Sequence, residues 1–362
     1  MRTTAVLSRD PAADFSVETV EIDEPRAGEI LVRMAATGIC HTDLATRRAG
    51  AVDRPILLGH EGAGVVEAVG PGVRAVGPGD HVVLTFRHCG DCANCGAGRP
   101  AYCLHATTLN NFGRRADDTP RVLVDGAPVL SGFFGQSSLA GYALSSEDNT
   151  VVVDPAIDPA LAAPFGCGFQ TGAGAVLNVL RPEPGARLVV YGAGAVGMAA
   201  LLAARTVPDV EVVVVETSSS RRELALELGA RAAVDPAGEA TAARVRELTG
   251  GGATHAVDTT GIPAVLGDAV AALGIGATVV AVGLGRGAPP IDVGDIVLQG
   301  KTIRGCLEGD SVAATFIPHL LDLHAQGRFP VDRLVSRYPA SDIAAALHDQ
   351  RTGKVIKPVL TW

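Results

Sequence analysis

The sequence lacks the marks of a protein that binds nucleic acid or crosses a membrane. Its 30 basic residues are outnumbered by 39 acidic ones, and a net charge of −9 leaves no basic footprint for a nucleic acid. The N-terminus reaches Arg9 and Asp10 without an apolar signal core. Two uncharged runs, 159–180 and 188–204, are interrupted by Gly and polar residues or are short for a membrane span. We therefore expect a soluble cytoplasmic protein.

Aromatic and charged residues are also scarce, at 4% and 19%, whereas hydrophobic residues reach 47%. This balance excludes an intrinsically disordered chain. A length of 362 residues is sufficient for two or three domains with a buried core. Gly is abundant, and four of the seven Cys lie between positions 89 and 103. In a cytoplasmic protein, clustered Cys indicate a metal site rather than disulfide bonds.

The pattern of apolar residues predicts two kinds of structure along the chain. Residues 1–85 contain short apolar strands separated by Gly-Pro turns, which predicts a β-rich region, and 86–135 are irregular. From residue 187 strands alternate with helices, which is typical of a parallel, doubly wound sheet. The predicted strands of that region are 187–191, 211–216, 254–258 and 277–283, and its helices are 195–205, 219–228, 239–248 and 263–273. Helices around 311–326 and 341–350 and a strand at 355–361 follow.

A glycine-rich turn predicts a dinucleotide site. Gly192, Gly194 and Gly197 fit the pattern G-x-G-x-x-G between a predicted strand and a predicted helix. The first Gly makes the turn, the second lets a pyrophosphate approach the backbone, and the third lets helix and strand pack closely. Glu216 ends the next strand, 19 residues after Gly197, where a carboxylate binds ribose hydroxyls.

Glu216 also bears on which dinucleotide is used. A carboxylate at this position repels a 2′-phosphate, which favours NAD over NADP. Arg221 and Arg222 follow closely, and they either bind that phosphate or lie on a solvated helix surface. We predict a preference for NAD.

The clustered cysteines have metal-ligand spacing. Cys89, Cys92, Cys95 and Cys103 form the pattern C-x2-C-x2-C-x7-C. Four thiolates so close in the chain are able to surround one Zn²⁺ in a structural site. An iron–sulfur cluster is the alternative, since it also uses closely spaced Cys. We predict structural zinc.

A second metal constellation is dispersed along the chain. Cys40, His60 and Cys167 form a Cys₂His set, which leaves one zinc position open as a catalytic site requires. Taken singly, each Cys of this set is usually an ordinary buried thiol and the His-Glu pair is usually a polar contact. The motifs around them, however, resemble those of a known family.

Residues 59–73 match the zinc alcohol dehydrogenase signature G-H-E-x2-G-x5-G-x2-V. Gly-Ile-Cys-His-Thr-Asp, the four-Cys lobe and Gly-Ala-Gly-Ala-Val-Gly occur in the order and at the spacings of the zinc-containing medium-chain alcohol dehydrogenases. The chain resembles that family along essentially its whole length. The stretches Gly-Cys-Gly-Phe-Gln-Thr-Gly-Ala-Gly and Leu-Glu-Gly-Asp-Ser are most similar to its aryl and allylic alcohol dehydrogenase branch.

The resemblance implies an α/β protein of two domains. A GroES-like, β-rich catalytic domain is expected at 1–168 and 306–362, with a structural zinc lobe at 86–105. A Rossmann domain that binds NAD is expected at 169–305. The family also implies two zinc ions per chain and a homodimer or homotetramer in which the strand near 277–283 pairs across subunits.

The resemblance further implies a role for individual residues. Cys40, His60 and Cys167 are expected to hold the catalytic zinc, Glu61 to approach it during ligand exchange, Asp43 to orient the zinc-bound His, and Thr42 to hydrogen-bond the substrate alcohol. His41 and Lys357 resemble pyrophosphate contacts, and Thr171 and Val196 resemble residues that press on the nicotinamide. Thr85, Phe133 and Phe134 are expected to line the substrate pocket. Ala45 occupies the place where many members carry a His of the proton relay, so proton exit here uses water, the cofactor ribose or another group.

These residues predict a zinc-dependent oxidoreductase that interconverts a primary alcohol and its aldehyde with NAD. The adjacent Phe pair favours an aromatic or allylic substrate. One alternative is a thiol-dependent formaldehyde dehydrogenase, for which four arginines would supply a basic mouth: Arg47, Arg48, Arg114 and Arg115. A biosynthetic reductase of a specialised metabolite and a non-catalytic dinucleotide-binding protein are the others.

Overall fold

The computed structural model describes residues 1–49, 54–237 and 240–362, and its strands and helices follow in chain order. The strands are β1 Arg2–Ser8, β2 Ser16–Ile22, β3 Glu29–Gly38, β4 Ile56–Leu57, β5 Gly62–Val69, β6 His81–Leu84, β7 Val122–Val124, β8 Ala127–Pro128, β9 Tyr142–Ser146, β10 Thr150–Val152, β11 Arg187–Tyr191, β12 Glu211–Val215, β13 Ala232–Val234, β14 Ala253–Asp258, β15 Leu273–Ala281, β16 Thr302–Gly305, β17 Val335–Pro339 and β18 Lys357–Thr361. The helices are α1 His41–Ala49, α2 Ala93–Gly96, α3 Ala106–Asn110, α4 Pro159–Ala162, α5 Gly168–Gly174, α6 Ala195–Arg205, α7 Ser219–Glu227, α8 Thr241–Leu248, α9 Pro263–Ala272, α10 Val293–Gln299, α11 Ala313–Ala325 and α12 Ile343–Arg351.

The chain divides into two compact units. The first comprises Met1–Cys167, Val312–Leu321 and Asp332–Trp362, and the second comprises Gly168–Ser311 and Asp322–Val331. The domain limits given from the sequence, 1–168 with 306–362 against 169–305, stay a prediction. None of the described helices is long and apolar enough to cross a bilayer.

The first unit is built on two sheets. Five strands pair antiparallel in the order β4-β1-β2-β7-β8. The other sheet has seven strands in the order β10-β6-β5-β3-β18-β17, with β9 also paired to β3. Alternating strands such as β2, where Val20 and Ile22 are buried between exposed residues, supply the core. The predicted β-rich region is therefore present.

The helix α1 lies within that region, for which only strands and turns were predicted. α1 places Asp43 in its first turn and Arg47 and Arg48 in its last, so its charges complement the helix dipole. Its sequence has little apolar periodicity, because Leu44 is its only large apolar residue. The usual pattern of an amphipathic helix is therefore missing, and the sequence reading overlooked it.

The second unit is a six-stranded parallel sheet in the order β13-β12-β11-β14-β15-β16. Numbered within the unit, this is the order 3-2-1-4-5-6 of a Rossmann fold, as predicted. β11 and α6 have the predicted bounds. β15 begins four residues before the predicted strand 277–283 and ends two residues before its predicted end. Glu239, the first residue of one predicted helix, lies outside the described residues.

A buried arginine ties two loops of the first unit together. Arg115 Nε and Nη2 donate to the Glu29 carboxylate at 2.9 and 2.6 Å, and Nη1 donates to Asp23 at 2.5 Å. Arg121 Nε donates to Glu29 at 3.2 Å. Burial raises the pKa of Glu29, but the hydrogen bonds from Arg115 and from the Arg26 backbone, with the charges of both arginines, outweigh burial and lower that pKa.

Replacement of Arg115 by Met should lower the free energy of unfolding by about 2–4 kcal/mol, because it leaves the Glu29 carboxylate buried with one charged partner fewer. The folded pKa of Glu29 is below its ordinary value of 4.5, so this stabilisation is present above pH 4.5 and is lost as pH falls further. Denaturant unfolding at several pH values measures both effects.

Arg114→Met is the matched control, because Arg114 pairs with Asp118 on the surface, with both side chains 69% exposed. It should change the stability by less than about 0.5 kcal/mol. An equal loss in the two variants, or a loss that grows towards acid pH, would contradict the buried network.

Candidate metal and cofactor sites

The four clustered cysteines converge on one point. Their sulfur atoms lie within 4.8 Å of one another, and the pairs Cys89–Cys95 and Cys92–Cys103 are separated by 4.0 Å. A zinc tetrahedron with 2.3 Å bonds to sulfur has edges of about 3.8 Å. Backbone N–H groups donate to the sulfurs, including that of His105 to Cys103 at 3.4 Å. The donor set fits a structural zinc ion.

A second group gathers the residues that the sequence left scattered. Cys40 follows β3, His60 and Glu61 precede β5, and Cys167 follows the 3-10 turn Ala163–Gly166. Their ligand atoms lie within 4.8 Å of one another. His60 and Glu61 are fully buried, and Cys167 is 8% exposed.

Asp43 organises this second group. Its Oδ1 accepts hydrogen bonds from Gly59 N at 2.9 Å and lies 3.0 Å from His60 Nδ1, and its Oδ2 accepts from Cys40 N at 3.0 Å. A carboxylate at Nδ1 holds the imidazole proton there and leaves Nε2 as the ligand atom. Within the described chain the buried Nε2 makes no hydrogen bond. An orphaned imidazole nitrogen beside two thiols fits a zinc site with an open position.

The surroundings of Cys40 favour the ionised form of its thiol. The Cys167 thiol donates a hydrogen bond to Cys40, and the charges of His60 and Lys357 lie nearby. These effects outweigh burial, and they hold the pKa of the Cys40 thiol well below its ordinary value. The thiolate is the form that binds metals.

Lys357 forms an ion pair with Glu61, a member of the second group. Its Nζ donates to both carboxylate oxygens of Glu61 at 2.8 Å and to the Ile39 carbonyl at 3.2 Å. Burial raises the pKa of Glu61 to about 7, although the Lys357 ammonium opposes this. The sequence reading assigned Lys357 to the cofactor pyrophosphate and did not foresee its ion pair with Glu61.

Two phenylalanines pack on the candidate metal ligand His60. The ring of Phe134 stacks on the imidazole, with centroids 4.6 Å apart and planes 29° apart. Phe133 meets the same imidazole edge-on at 5.5 Å. Phe134 has a left-handed backbone, with φ of 50°, a conformation that costs a non-Gly residue about 1–3 kcal/mol. The adjacent pair predicted to line a pocket therefore lies directly beside the metal group.

Gln136 is a residue of this site that the sequence reading missed. Its side-chain amide donates to the carbonyls of His60 at 3.0 Å and Thr85 at 3.1 Å, and its oxygen accepts from Gly62 N at 3.2 Å. Gln136 stands between Gly135 and two serines and belongs to no motif, so no sequence signal pointed to its partners. Thr85 itself is fully buried and its hydroxyl donates to the Gly166 carbonyl at 2.6 Å.

The N-terminus of α1 carries two further predicted residues. Thr42 Oγ1 lies 3.8 Å from the Cys40 sulfur and is half-buried. His41 is exposed on the first turn of the helix. Ala45 is also exposed on α1, one turn further along.

The glycine-rich turn of the second unit has the geometry that its spacing predicts. Gly192 has φ of 88°, which favours glycine. A Cβ on Gly197 would lie 1.8 Å from the Gly192 carbonyl oxygen, so only glycine fits where α6 meets the sheet. A Cβ on Gly194, the N-cap of α6, would meet no atom within 4 Å. The backbone is thus open at the helix N-terminus, where a pyrophosphate binds.

Glu216 is bound to the glycine-rich turn. Its carboxylate accepts hydrogen bonds from Ala193 N at 2.7 Å, Ser218 N at 2.9 Å and the Thr217 hydroxyl at 3.0 Å. Burial raises the pKa of Glu216, but these hydrogen bonds outweigh burial and lower that pKa. The carboxylate is therefore ionised at neutral pH.

The neighbouring arginines differ in their contacts. Arg222 Nη1 donates to the carbonyls of Glu216 and Thr217, and its guanidinium pairs with Asp235 at 2.9 Å. Arg221 Nε is buried and, among the described residues, has no hydrogen-bond partner. Arg222 is thus committed to the fold of its loop.

Two predicted nicotinamide contacts lie in the second unit. The Thr171 hydroxyl donates to the buried carboxylate of Glu308 at 3.4 Å. Val196 is half-buried in the first turn of α6, and its carbonyl oxygen approaches Gly172 so closely that a Cβ there would lie 2.0 Å away. Glu308 belongs to the stretch Leu-Glu-Gly-Asp-Ser at 307–311, so this stretch lies beside Thr171.

Comparison with known proteins agrees with this geometry. The alcohol dehydrogenase GroES-like domain matches residues 26–154, and the zinc-binding dehydrogenase family matches residues 195–325. A geraniol dehydrogenase of Castellaniella defragrans is 47% identical over 363 residues, which cover 99% of this chain and 97% of that protein. The chain belongs to the zinc-binding alcohol dehydrogenases.

Solved structures show the same relationship. A zinc-binding alcohol dehydrogenase domain protein from Burkholderia ambifaria is 46% identical with a TM-score of 0.97, over 100% of this chain and 99% of that one. Benzyl alcohol dehydrogenase from Acinetobacter calcoaceticus is 41% identical with a TM-score of 0.94, at the same coverage. The fold class and the family resemblance are confirmed, as is an NAD-dependent zinc alcohol dehydrogenase activity.

Asp43→Asn should weaken zinc binding at the second group by about 10–100-fold. The Asn side-chain NH₂ would face an N–H group that now donates a hydrogen bond to the Asp43 carboxylate, so that hydrogen bond would be lost. The wild type should hold about two zinc ions per chain and D43N close to one after dialysis against a chelator, as measured by elemental analysis. Asp118→Asn, an exposed carboxylate, is the control. Two ions retained in D43N, or one in the wild type, would refute the assignment.

Substitutions at Gly194 and Gly197 should separate cofactor binding from folding. Gly194→Val has space in the fold, so it should keep the melting temperature but reduce NADH affinity at least about 10-fold by obstructing the pyrophosphate. Gly197→Val should lower the melting temperature, because its side chain collides with the Gly192 carbonyl. Fluorescence titration and thermal unfolding measure the two effects, and unchanged NADH binding in G194V would refute the prediction.

Proposed function

We propose that this protein interconverts a primary aromatic or allylic alcohol and its aldehyde by hydride transfer to or from NAD. The observation that carries the substrate class is the stacking of Phe134 on His60 at 4.6 Å, which puts an aromatic side chain directly beside the candidate metal ligands. Flat, unsaturated substrates pack well on aromatic rings. Relatives named for geraniol and benzyl alcohol support the same class.

The candidate metal ligands are Cys40, His60 and Cys167, with Asp43 orienting the imidazole of His60. Bound zinc supplies a Lewis acid that lowers the pKa of an alcohol, and bound NAD supplies the hydride acceptor. The Thr42 hydroxyl is proposed to accept a hydrogen bond from the alcohol and pass its proton on, and its position 3.8 Å from the Cys40 sulfur supports this role. Ala45 has no titratable group, so the proton leaves through water, the cofactor ribose or another group.

The cofactor is proposed to bind along the open turn of the second unit. The helix N-terminus at Gly194 is proposed to receive the pyrophosphate, with the exposed His41 as a further contact, and Thr171 and Val196 are proposed to press on the nicotinamide. Lys357, the other pyrophosphate contact implied by the resemblance, is buried and bonded to Glu61 and Ile39, so that role would require it to exchange this ion pair for the phosphate. The ionised Glu216 favours ribose hydroxyls and repels a 2′-phosphate, which supports NAD. Arg222 is occupied by its own loop, and so Arg221 is the one candidate of the two for a phosphate contact.

A homodimer or homotetramer is supported by an apolar surface of the second unit. Five side chains there are more than 70% exposed: Ile275, Leu284, Val293, Val297 and Leu298. The strand near 277–283, which was predicted to pair across subunits, is β15, and it lies between β14 and β16 inside the sheet, so it has no free edge for such pairing. β16 is the edge strand, and all four of its residues are exposed. Such surfaces are covered in assemblies, and pairing of edge strands is one way to cover them. A cytoplasmic location, without partners among nucleic acids or membranes, completes the proposal.

The geometry does not favour the thiol-dependent alternative. Arg115 is buried against Glu29 and Asp23, and Arg114 pairs with Asp118. Arg47 donates to Ser8 and lies over the ring of Phe15 at 4.3 Å. Arg48 and Arg114 are the exposed arginines of the four, and Arg114 already pairs with Asp118, which makes a poor basic mouth for a thiol carrying two carboxylates.

A substrate panel tests the proposal. With NAD and no added thiol, benzyl alcohol and geraniol should each give a kcat/KM at least about 10-fold above that of ethanol, because a hydrophobic ring contact contributes about 1–3 kcal/mol of discrimination. Replacement of NAD by NADP should lower kcat/KM. Activity only with a thiol adduct of formaldehyde would refute the proposal, as would a preference for ethanol.

A further inference from the structure

We propose that Phe134 is a positioning residue: its strained segment presses the ring against His60 and holds the imidazole in the plane that zinc binding needs. The proposal rests on the proposed function, because it concerns the candidate catalytic zinc. It differs from the pocket-wall role predicted for Phe134, which requires contact with substrate and not with a metal ligand.

Asp43 alone does not fix the imidazole. Its Oδ1 holds the single atom Nδ1 at 3.0 Å, which sets the position of one corner of the ring. The opposite corner, Nε2, makes no hydrogen bond within the described chain. A ring held at one corner is still able to tilt out of its plane, which would turn the Nε2 lone pair away from Cys40 and Cys167.

The Phe134 ring opposes this tilt. It lies on the face of the imidazole with centroids 4.6 Å apart and an interplanar angle of 29°. Phe133 approaches the same imidazole edge-on, with an interplanar angle of 88°, and packs against Phe134 at 4.9 Å. His60 is fully buried, so the two phenylalanines form part of the wall of its cavity.

The backbone of Phe134 is strained to place the ring there. Its φ of 50° and ψ of 30° lie in the left-handed region, which glycine adopts without penalty. A large side chain at such a position points to a function that outweighs the strain. Contact with His60 is the function that the geometry shows.

Three buried side chains hold the strained segment. The Ser137 hydroxyl accepts from Phe133 N at 3.0 Å and donates to the Leu57 carbonyl at 2.7 Å. Asn149 Nδ2 donates to the Phe134 carbonyl at 3.0 Å. Gln136 donates to the carbonyl of His60 itself. The segment is therefore bonded both to the scaffold and to the residue that it positions.

The test compares Phe134→Leu, Phe134→Met and Phe134→Tyr with the wild type, all loaded with zinc. Release of the catalytic zinc to the chelator 4-(2-pyridylazo)resorcinol should be at least about 10-fold faster in F134L and F134M, and near normal in F134Y, which keeps the ring. Release from the four-cysteine site should be unchanged in all of them. With Co²⁺ in the catalytic site, F134L and F134M should show shifted visible bands and F134Y should not.

Phe112→Leu is the matched control. Phe112 also has a left-handed backbone, with φ of 54°, and packs on Phe133 at 5.3 Å, one ring further from His60. It should release zinc at the wild-type rate. Equal acceleration in F112L, or normal release and normal cobalt bands in F134L and F134M, would overturn the proposal. If F134L fails to fold, F134M against F134Y decides it.

These readouts are independent of the substrate. A wild type that binds two zinc ions but does not oxidise aromatic alcohols would refute the proposed substrate and leave the role of Phe134 to be judged by zinc release. A wild type with zinc only in the four-cysteine site would refute both.

Discussion

One buried carboxylate holds the candidate catalytic centre together. Asp43 is 1% exposed and interacts with three groups from two segments of the first unit: the amide of Cys40, the amide of Gly59 and the imidazole of His60. Burial of a carboxylate destabilises the fold unless the carboxylate accepts hydrogen bonds or pairs with a charge. Each partner of Asp43 is a candidate metal ligand or the residue next to one. The bonds that satisfy Asp43 therefore also arrange the candidate ligands.

The other polar side chains of the site follow the same rule. Gln136 uses its amide on the carbonyl of His60 and on Thr85, and Lys357 uses its ammonium on Glu61. Apolar contact completes the enclosure, because Phe133 and Phe134 cover the imidazole of His60. The result is a site in which buried charge, hydrogen bonding and ring packing all restrict one histidine, as a preorganised metal centre requires.

The candidate dinucleotide site of the second unit is built mainly from residues that are close together in the chain. The absence of a Cβ matters for a different reason at Gly192, Gly194 and Gly197, and all three residues lie within six positions of the chain. The Glu216 carboxylate accepts a hydrogen bond from the amide of Ala193, so the glycine-rich turn and the acid predicted to bind the ribose are directly bonded. Parallel strands placed side by side bring the two segments together at the same sheet edge.

The sequence by itself determined the parts of this protein that are local. The four-cysteine lobe, the glycine-rich turn with α6, and Glu216 at the end of β12 were all predicted, because their geometry is fixed within a short stretch of chain. Cys40, His60 and Cys167 are far apart in the sequence and form only a weak pattern. The family resemblance was needed to predict that they share one metal site.

Only the tertiary structure decided how distant groups meet. The helix α1 escaped prediction because its charges and the Asp43 contacts, not apolar periodicity, stabilise it. The ion pair of Lys357 with Glu61 joins residues 296 positions apart, and the contacts of Gln136 and Phe134 with His60 span more than 70. No spacing rule reports such contacts, because they depend on the packing of β18, β5 and the 132–137 segment around one buried histidine.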